Sequence, residues 1–402
     1  MPSFPIEFAL FAAVLVGVAV LHHRPLMVTL GGLAAIVAYK WLVTGFAGGP
    51  GWTGLSAHMA HEWVLLANLM LLLVGFAVLS NHFEQSRIPD AMPALLPDNW
   101  TGGLALLAIV FVLSALLDNI AASVIGGVMA KHVYRGKVSV GFLVAMVAAS
   151  NAGGAGSVIG DTTTTMMWID GVSPILLMDA FVASIAAFVV FAPYAAMRQQ
   201  AIAPVIPHAD PELKIDWMRA VIVGVILVFL VGANLIANAR FAGIEEHVPV
   251  LGLAVWTAIL LTALIRKPGW EVTPEALKGA VFLSALVACA SLMPVETLPP
   301  ASWGSALGLG FLSAVFDNIP LTALALKQGG FDWALLAYAV GFGGSMVWFG
   351  SSAGVALTGI FPEGRSVVRW VKEGWIVPVA YVVGFFVMLA VFGWNPETLP
   401  RG

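Results

Sequence analysis

Long windows almost without charge constrain the fold of this chain more than any other feature of its sequence. Residues 102–117 contain no charged side chain, and residues 217–239 contain only Arg219. A helix needs about 20 mostly apolar residues to cross the hydrocarbon core of a bilayer. Only 10% of the 402 residues are charged, whereas soluble domains average about a quarter. We therefore predict an all-α polytopic membrane protein.

Charge and cysteine content argue against several other classes of protein. The sequence contains no run of Lys and Arg, so we expect no nucleic-acid partner. The single cysteine, Cys289, excludes an internal disulfide and any site with several cysteine ligands. The first residues, MPSFPIE, carry no Lys or Arg. We therefore expect the first apolar segment to remain as a span instead of acting as a signal peptide.

Apolar segments of two kinds can be distinguished along the chain. Segments 102–130 and 304–327 are each interrupted by an Asp-Asn pair, which leaves arms too short to cross the bilayer alone. We predict that these two segments form re-entrant hairpins, which enter and leave on one side. Ten others are predicted to be full crossings, namely 5–21, 25–44, 62–81, 138–169, 174–197, 217–239, 248–265, 275–294, 331–360 and 374–394.

The placement of Lys and Arg supports this topology. With both hairpins re-entrant and the N-terminus outside, 14 of the 18 Lys and Arg residues fall on the inner side. Cytoplasmic loops of membrane proteins carry such an excess of positive charge. We therefore predict a multi-pass protein of a bacterial inner membrane, with both termini on the outer side.

An internal repeat relates the two halves of the chain. The segment LSALLDNIAAS (113–123) matches LSAVFDNIPLT (312–322), and NAGGAGSVIGDTTT (151–164) aligns with GFGGSMVWFGSSAG (341–354). Each half holds five predicted crossings, and an odd number of crossings means that the two repeats have inverted topology. Inverted repeats with interrupted helices are typical of secondary transporters, which bind substrate and ions near the midplane of the bilayer.

The repeat divides the chain into two predicted domains, each with one re-entrant hairpin and one broken helix. The predicted bounds are 1–198 for the first inverted repeat, with hairpin 102–130 and broken helix 138–169, then 199–216 for a cytoplasmic linker, and 217–402 for the second inverted repeat, with hairpin 304–327 and broken helix 331–360.

Glycine pairs mark the predicted breaks in the two broken helices. Non-helical backbone occurs at membrane depth only where it is buried in protein or lines a watery site. Gly153 and Gly154 in the first break, and Gly343 and Gly344 in the second, permit an unwound turn with accessible carbonyl groups. Both breaks are therefore candidate ion-binding segments.

Asp161 stands at the N-cap position of the half-helix that follows the first break, and Thr162 and Thr163 come next with their hydroxyl groups. A carboxylate inside the membrane is costly and is by default a functional candidate. The alternative is that Asp161 only caps the half-helix.

Asp118–Asn119 and Asp317–Asn318 occupy matching repeat positions at the tips of the two hairpins. Desolvation disfavours the ionised form of a carboxyl group, which can then hold either a proton or a hard cation. Hard cations prefer carboxylate, carbonyl and hydroxyl oxygens as ligands. We therefore predict that Asp118, Asp161 and Asp317 bind Na⁺ or Li⁺ and also protons. The alternative is that the Asp-Asn pairs are turns at helix ends near the membrane surface.

The second break differs chemically from the first. Where the first break has Asp161, the second has Ser351 and Ser352, with Ser345 nearby. The predicted site is therefore asymmetric, with one acid-rich and one hydroxyl-rich half, and we expect the first half to dominate the coupling to protons.

Three features outside these motifs carry weaker interpretations. The segment HMAHE (58–62) matches no zinc-protease motif, and we predict that it lies in an outer loop. His82 is expected at the solvated inner end of the third span. Asp179 lies near the outer end of the fifth span, and its role stays open.

Several motifs of this chain resemble the NhaD-type sodium/proton antiporters of the ion transporter superfamily, to which citrate and arsenite permeases also belong. They are NAGGAGSVIGDTTTTMMWI (151–169), the paired LLDNI and VFDNIP, and GGSMVWFGSSAG. The resemblance implies inverted repeats, a homodimer and an elevator-type displacement of the transport part. It assigns ion binding to Asp118, Asn119, Asn151, Asp161, Thr162, Asp317, Asn318, Ser351 and Ser352.

The carboxylates and the resemblance together predict exchange of Na⁺ (or Li⁺) for H⁺ across the membrane, with no cofactor. A sodium-coupled citrate or dicarboxylate transporter is the alternative, although carboxylates at both hairpin tips would repel an anion. An arsenite-type permease is a third and weaker alternative. We expect no enzymatic activity, because the spans contain no paired histidines and the lysines lie near predicted span ends.

Overall fold

The computed structural model describes residues 5–21, 24–206, 213–240, 244 and 247–397, and its regular elements are helices. This confirms the all-helical prediction. The α-helices are α1 Ile6–Val20, α2 Pro25–Tyr39, α3 Gly51–Gln85, α4 Ile88–Ala91, α5 Trp100–Leu116, α6 Asn119–Val133, α7 Val140–Ala155, α8 Thr162–Ile169, α9 Pro174–Leu177, α10 Ala180–Ile202, α11 Trp217–Arg240, α12 Val250–Thr262, α13 Thr273–Ser291, α14 Trp303–Ser313, α15 Asn318–Gln328, α16 Trp333–Gly343, α17 Ser352–Ile360, α18 Val367–Glu373 and α19 Ile376–Phe392.

Within the described residues, five helical segments are long and apolar enough to cross a membrane, and a sixth is formed if α18 and α19, bent by 59°, count as one. The five are Pro25–Thr44, Gly51–Gln85, Pro174–Ile202, Trp217–Ala237 and Trp270–Ser291. The remaining predicted crossings contain shorter apolar helices, among them α1, α7, α12 and α16. The total of ten crossings therefore stays a prediction.

Several helix bounds differ from those expected from the sequence, and two of these differences are informative. Helix α3 begins at Gly51 and not at residue 62, because residues 55–62 consist mainly of helix-compatible side chains and contain no proline. The HMAHE segment is therefore helical, and its prediction as a loop is wrong. Helix α5 has 17 residues and begins at Trp100, where the Asn99 side chain accepts a hydrogen bond from Thr101 N at 2.8 Å. The first arm of the predicted hairpin 102–130 therefore begins two residues earlier than the sequence pattern suggested.

The chain forms two compact units, each of which contains segments from both predicted halves. Unit 1 comprises Met1–Leu79, Ile222–Pro300 and Ile319–Gly329, and unit 2 comprises Ser80–Val221, Ala301–Asn318 and Gly330–Gly402. The predicted repeat boundary in the linker stays a prediction. Residues 207–212 of that linker, and residues 1–4 and 398–402 at the termini, lie outside the described residues.

In unit 1, helix α2 packs against α1 and α13, and α12 packs against α3. The α3–α12 contact is polar as well as apolar. Asn68 Oδ1 accepts a hydrogen bond from Gly252 N at 2.9 Å, and Trp256 Nε1 donates to Leu71 O at 2.9 Å.

In unit 2, α5, α7 and α10 pack together, α16 packs against α7 and α14, and α6 packs against α17. Aromatic rings fill the space between α16 and α19. Tyr338, Phe342 and Tyr381 stack on one another, with ring centroids 5.4 to 6.2 Å apart. Tyr381 Oη also donates a hydrogen bond to Leu307 O in α14 at 2.9 Å.

Helices of unit 2 are interrupted at the positions of the sequence motifs. Helix α7 ends at Ala155 and α8 begins at Thr162, while α16 ends at Gly343 and α17 begins at Ser352. A short break also separates α5 from α6, and another lies between α14 and α15.

The two glycine-rich breaks close in the same way. A Cβ on Gly154 would lie 2.5 Å from Gly160 O, and a Cβ on Gly344 would lie 2.6 Å from Gly350 O. The final turns match too, since Gly160 N donates to Ser157 O at 3.1 Å and Gly350 N donates to Val347 O at 3.0 Å. Close backbone approach therefore requires glycine at both breaks.

A pair of glycines in α14 tests how tightly unit 2 is packed. A Cβ on Gly310 would collide with Tyr381 Oη and would lie 2.6 Å from Ala339 O, whereas a Cβ on Gly308 would meet no described atom within 4 Å. We expect Gly310→Ala to lower the free energy of unfolding by about 1–3 kcal/mol through overpacking. Gly308→Ala, the matched control, should be neutral or stabilising by up to about 1 kcal/mol. Thermal unfolding of the detergent-purified protein measures both, and equal unfolding temperatures would contradict the packing described for α14.

Candidate ion-binding site

Asp161 is buried in unit 2, with 1% of its surface exposed. It is the N-cap of α8, where its Oδ1 accepts a hydrogen bond from Thr163 N at 3.2 Å. Asn318 Nδ2, at the start of α15, lies 3.3 Å from Oδ1 and 3.2 Å from Oδ2. Capping explains the first contact but does not require the second. The carboxylate is therefore held from two elements that are far apart in sequence.

The Thr163 hydroxyl and the Asp317 carboxylate complete the surroundings of Asp161. Thr163 Oγ1 is buried beside the carboxylate and makes no well-formed hydrogen bond within the described part of the chain. Asp317, half-buried just before α15, is close enough for a direct electrostatic interaction with Asp161. One side of the candidate site thus combines two carboxylates, an amide and a hydroxyl group.

A second network joins the opposite halves of the predicted repeat. Asn119 Nδ2 donates to Asn151 Oδ1 at 3.2 Å, and Asn151 Nδ2 donates to Ser345 Oγ at 3.0 Å and to Ser351 Oγ at 3.2 Å. All four side chains are buried. This network contains amides and hydroxyl groups and no carboxylate.

Asp118 caps α6 at the tip of the first predicted hairpin. Its Oδ1 accepts hydrogen bonds from Ile120 N at 2.7 Å and from Ala121 N at 2.9 Å. Ser80 Oγ, near the end of α3, donates to Asp118 Oδ2 at 3.4 Å. Sequence reasoning missed Ser80, because one serine in an apolar helix gives no signal of its partner.

The threonines after Asp161 divide into two groups. Thr164 Oγ1 donates to Ser157 O at 2.6 Å, and Thr165 Oγ1 donates to Val158 O at 2.8 Å, so these hydroxyl groups hold the break closed. Thr162 is half-buried, and so is Ser352 in the second break. Within the described residues, no side-chain hydrogen bond joins either hydroxyl group to the two networks.

The glycine pairs lie at or just before the ends of the helices that precede the breaks. Gly153 and Gly154 are helical residues of α7, so the unwound turn predicted at this pair is wrong, and the first break begins at Gly156. Gly343 is the last residue of α16. A Cβ on Gly153 would collide with Phe111 O, and a Cβ on Gly343 would collide with Gly310 O. Gly153 therefore lets α7 approach the backbone of α5, and Gly343 lets α16 approach the backbone of α14.

Within the described residues, no group of three His, Cys, Asp or Glu side chains is placed to hold a metal ion. The predicted trio Asp118, Asp161 and Asp317 is thus not found as a single three-carboxylate centre. A cation at Asp161 would take its other ligands from hydroxyl, amide and carbonyl oxygens, a set that suits hard cations.

The residues with weaker predictions make other contacts. His82 is fully buried, and its Nδ1 accepts a hydrogen bond from Arg219 Nη1 at 3.0 Å. The expectation of a solvated position for His82 is therefore wrong. Asp179 is half-buried and interacts electrostatically with Asp332. His58 Nε2 lies 3.0 Å from Ser291 Oγ in unit 1.

Comparison with known proteins supplies relatives over most of the chain. No protein-family profile matches it. The Na⁺/H⁺ antiporter NhaD of Vibrio cholerae is 25% identical over 443 aligned positions, which cover 91% of this chain and 86% of that protein. NhaD of Alkalimonas amylolytica is 26% identical over 403 positions, covering 84% of this chain and 79% of the relative.

A plant protein shows the same level of similarity. Sodium/proton antiporter 1 of Arabidopsis thaliana is 26% identical over 381 positions, which cover 85% of this chain. The match spans 65% of the plant protein, slightly less than two thirds of its length. These relatives confirm the resemblance that the motifs indicated, and the chain is similar to NhaD-type Na⁺/H⁺ antiporters over most of its length.

Proposed function

We propose that this protein exchanges Na⁺ (or Li⁺) for H⁺ across a membrane. The relatives carry the name of sodium/proton antiporters, and the chain has long apolar helices suited to a bilayer. The single observation that carries the proposal is the buried Asp161 carboxylate beside the Asn318 amide. A carboxylate in such surroundings needs a proton or a cation to offset its charge.

Exchange follows from competition at Asp161. A proton neutralises the carboxylate directly, and a Na⁺ ion neutralises it while drawing further oxygen ligands from the Thr163 hydroxyl group and nearby carbonyl groups. The charged, empty state is the least stable at membrane depth, where an acid costs at least about 2.5 kcal/mol on insertion scales. Asp317 and Asp118 supply further negative charge that attracts the cation.

The full site is proposed to include the residues that the motifs assign. Asn119, Asn151, Ser345 and Ser351 form the buried amide and hydroxyl network, and Asn318 holds the carboxylate. Thr162 and Ser352 are proposed to contribute their hydroxyl groups after a displacement that accompanies transport.

The proposed architecture is two inverted repeats of five crossings, each with a re-entrant hairpin and a broken helix. The matching closures of the two glycine-rich breaks support the repeat relationship. We further propose a homodimer with elevator-type movement, in a bacterial inner membrane with both termini outside. The polar linker 199–216 would then face the cytoplasm.

An ion panel in proteoliposomes tests the proposed function. Purified protein is reconstituted with an internal pH dye and challenged separately with Na⁺, Li⁺, K⁺, citrate and arsenite. We expect a pH change with Na⁺ or Li⁺ in the absence of any organic anion. A response only to citrate, or only to arsenite, would replace antiport with the corresponding anion transport.

Asp161→Asn is expected to abolish Na⁺-dependent proton movement, because the amide can neither release a proton nor neutralise a cation. Asp90→Asn is the matched control, since Asp90 is 56% exposed and pairs with Arg87 on the surface. Such a pair contributes only about 0–1 kcal/mol to stability. Wild-type exchange by the Asp161 variant would remove this residue from the mechanism.

Asn318→Ala is expected to raise the half-saturating Na⁺ concentration about tenfold. A hydrogen bond to a charged group contributes about 1.5–3 kcal/mol, and each 1.4 kcal/mol is about tenfold in affinity. Asn395→Ala is the control, because that exposed side chain bonds only locally to Phe392 O at 2.7 Å. Dose–response curves in the same liposomes give the comparison, and equal Na⁺ dependence in both variants would show that Asn318 does not position the carboxylate.

A further inference from the structure

Asn151 and Gly341 occupy the same position in the two halves of the predicted repeat. The alignment of NAGGAG (151–156) with GFGGSM (341–346) places an amide side chain in one half where the other half has only a hydrogen atom. Both positions are in buried helices of unit 2 that pack against each other, α7 and α16.

The Asn151 side chain crosses to the second break and meets two hydroxyl groups there. Its Nδ2 donates to Ser345 Oγ at 3.0 Å and to Ser351 Oγ at 3.2 Å. Its Oδ1 accepts from Asn119 Nδ2 at 3.2 Å. The amide therefore stands between the hairpin-tip asparagine and the N-cap of the half-helix.

Gly341 faces the first break in the reciprocal arrangement. A Cβ at this position would lie 3.1 Å from Asp161 Oδ2, 3.6 Å from Ala155 Cβ and 4.0 Å from Thr163 Oγ1. Ala155 and Asp161 are the repeat counterparts of Ser345 and Ser351. Asn151 and Gly341 thus lie beside equivalent residues of the opposite half. Asn151 fills the space between itself and those residues with its side chain, whereas Gly341 leaves it open.

Asn119 and Asn318, at the tips of the two predicted hairpins, differ in the same way in their contacts with the opposite break. Asn318 touches Asp161 directly, at 3.2 Å from Oδ2, with no side chain interposed. Its counterpart Asn119 reaches the Asn151 amide, which in turn reaches Ser351. The amide N–H group of Asn151, with its partial positive charge, donates to Ser351 Oγ and so disfavours a cation next to that hydroxyl group.

Charge distinguishes the two halves as well. Asp161 can neutralise a bound monovalent cation, while Ser351 offers only a hydroxyl group. The buried Thr163 Oγ1, which makes no well-formed hydrogen bond among the described residues, faces the space that Gly341 leaves beside the carboxylate.

We propose that Gly341 keeps one cation site open beside Asp161, and that the Asn151 amide fills the repeat-related site beside Ser351. Each chain then carries one cation site, and Gly341 limits the size of the ion that fits. The inference rests on the proposed function, because it assigns the cation of that function to one half of the pseudo-symmetric pair.

Cation binding is tested apart from transport, by the effect of Na⁺ and Li⁺ on the unfolding temperature of the purified protein at constant ionic strength. A ligand that binds only the folded state raises this temperature in a concentration-dependent way. For the wild type we expect stabilisation by both ions, and one ²²Na⁺ bound per chain at saturation in equilibrium dialysis. Two ions per chain would overturn the proposal.

Gly341→Ala should raise the half-saturating Na⁺ concentration about tenfold. The added methyl group would crowd the bound ion, and an overpacking cost of about 1.4 kcal/mol already lowers the affinity tenfold. The half-saturating Li⁺ concentration should rise less, because Li⁺ is the smaller ion. Gly341→Asn, which copies the arrangement of the other half, should remove the response to both ions. Gly359→Ala is the control, since a Cβ there would meet no described atom within 4 Å.

Unchanged half-saturation for Na⁺ and Li⁺ in Gly341→Ala would overturn the proposal even if the asparagine variant fails to fold. If the protein is not a Na⁺/H⁺ antiporter, the experiments give a different combination of results. Liposomes of the wild type would then show no Na⁺-driven pH change, while the Gly341-dependent stabilisation by Na⁺ would persist.

Discussion

The hydrogen bonds between the Asn318 amide and the buried Asp161 carboxylate are the contact on which the candidate site depends. A buried carboxylate is stable only when donors, a proton or a cation offset its lost hydration. Here the donors come from the start of α15 and from the backbone of α8, which lie 157 and 2 residues away in sequence. Any change in the position of Asn318 relative to Asp161 therefore changes the charge balance at this carboxylate.

Close backbone packing brings the donors within reach. Gly154 and Gly160 let the first break fold onto itself, and Gly344 and Gly350 do the same in the second. Non-helical backbone in an apolar environment must still satisfy its polar groups. In the first break Thr164 donates to one of the break's carbonyls. The polar segment between α7 and α8 is thus a turn fixed by hydrogen bonds, and this fixes the orientation of the Asp161 carboxylate at its end.

Sequence patterns predicted the type and the approximate position of most of these elements. Uncharged windows such as 102–117 became helices, and the glycine-rich motifs became the breaks before Thr162 and Ser352. The start of α3 was misjudged, because the polar residues before 62 look like a loop although nothing in them interrupts a helix. His82 was misplaced for a related reason. Position near a helix end suggests exposure, but Arg219 from another helix covers this side chain.

The sequence by itself determined the helical class, the apolar segments, the breaks and the asymmetry between Asp161 and Ser351, because periodicity, glycine and charge act locally. Only the tertiary structure decided which polar groups meet. Asn151 bonds to Ser351, 200 residues away, while Gly341 faces Asp161. These pairings depend on how α7 packs against α16. Both helices are buried almost all round, so neither has the polar face that would indicate in the sequence which side meets the other helix.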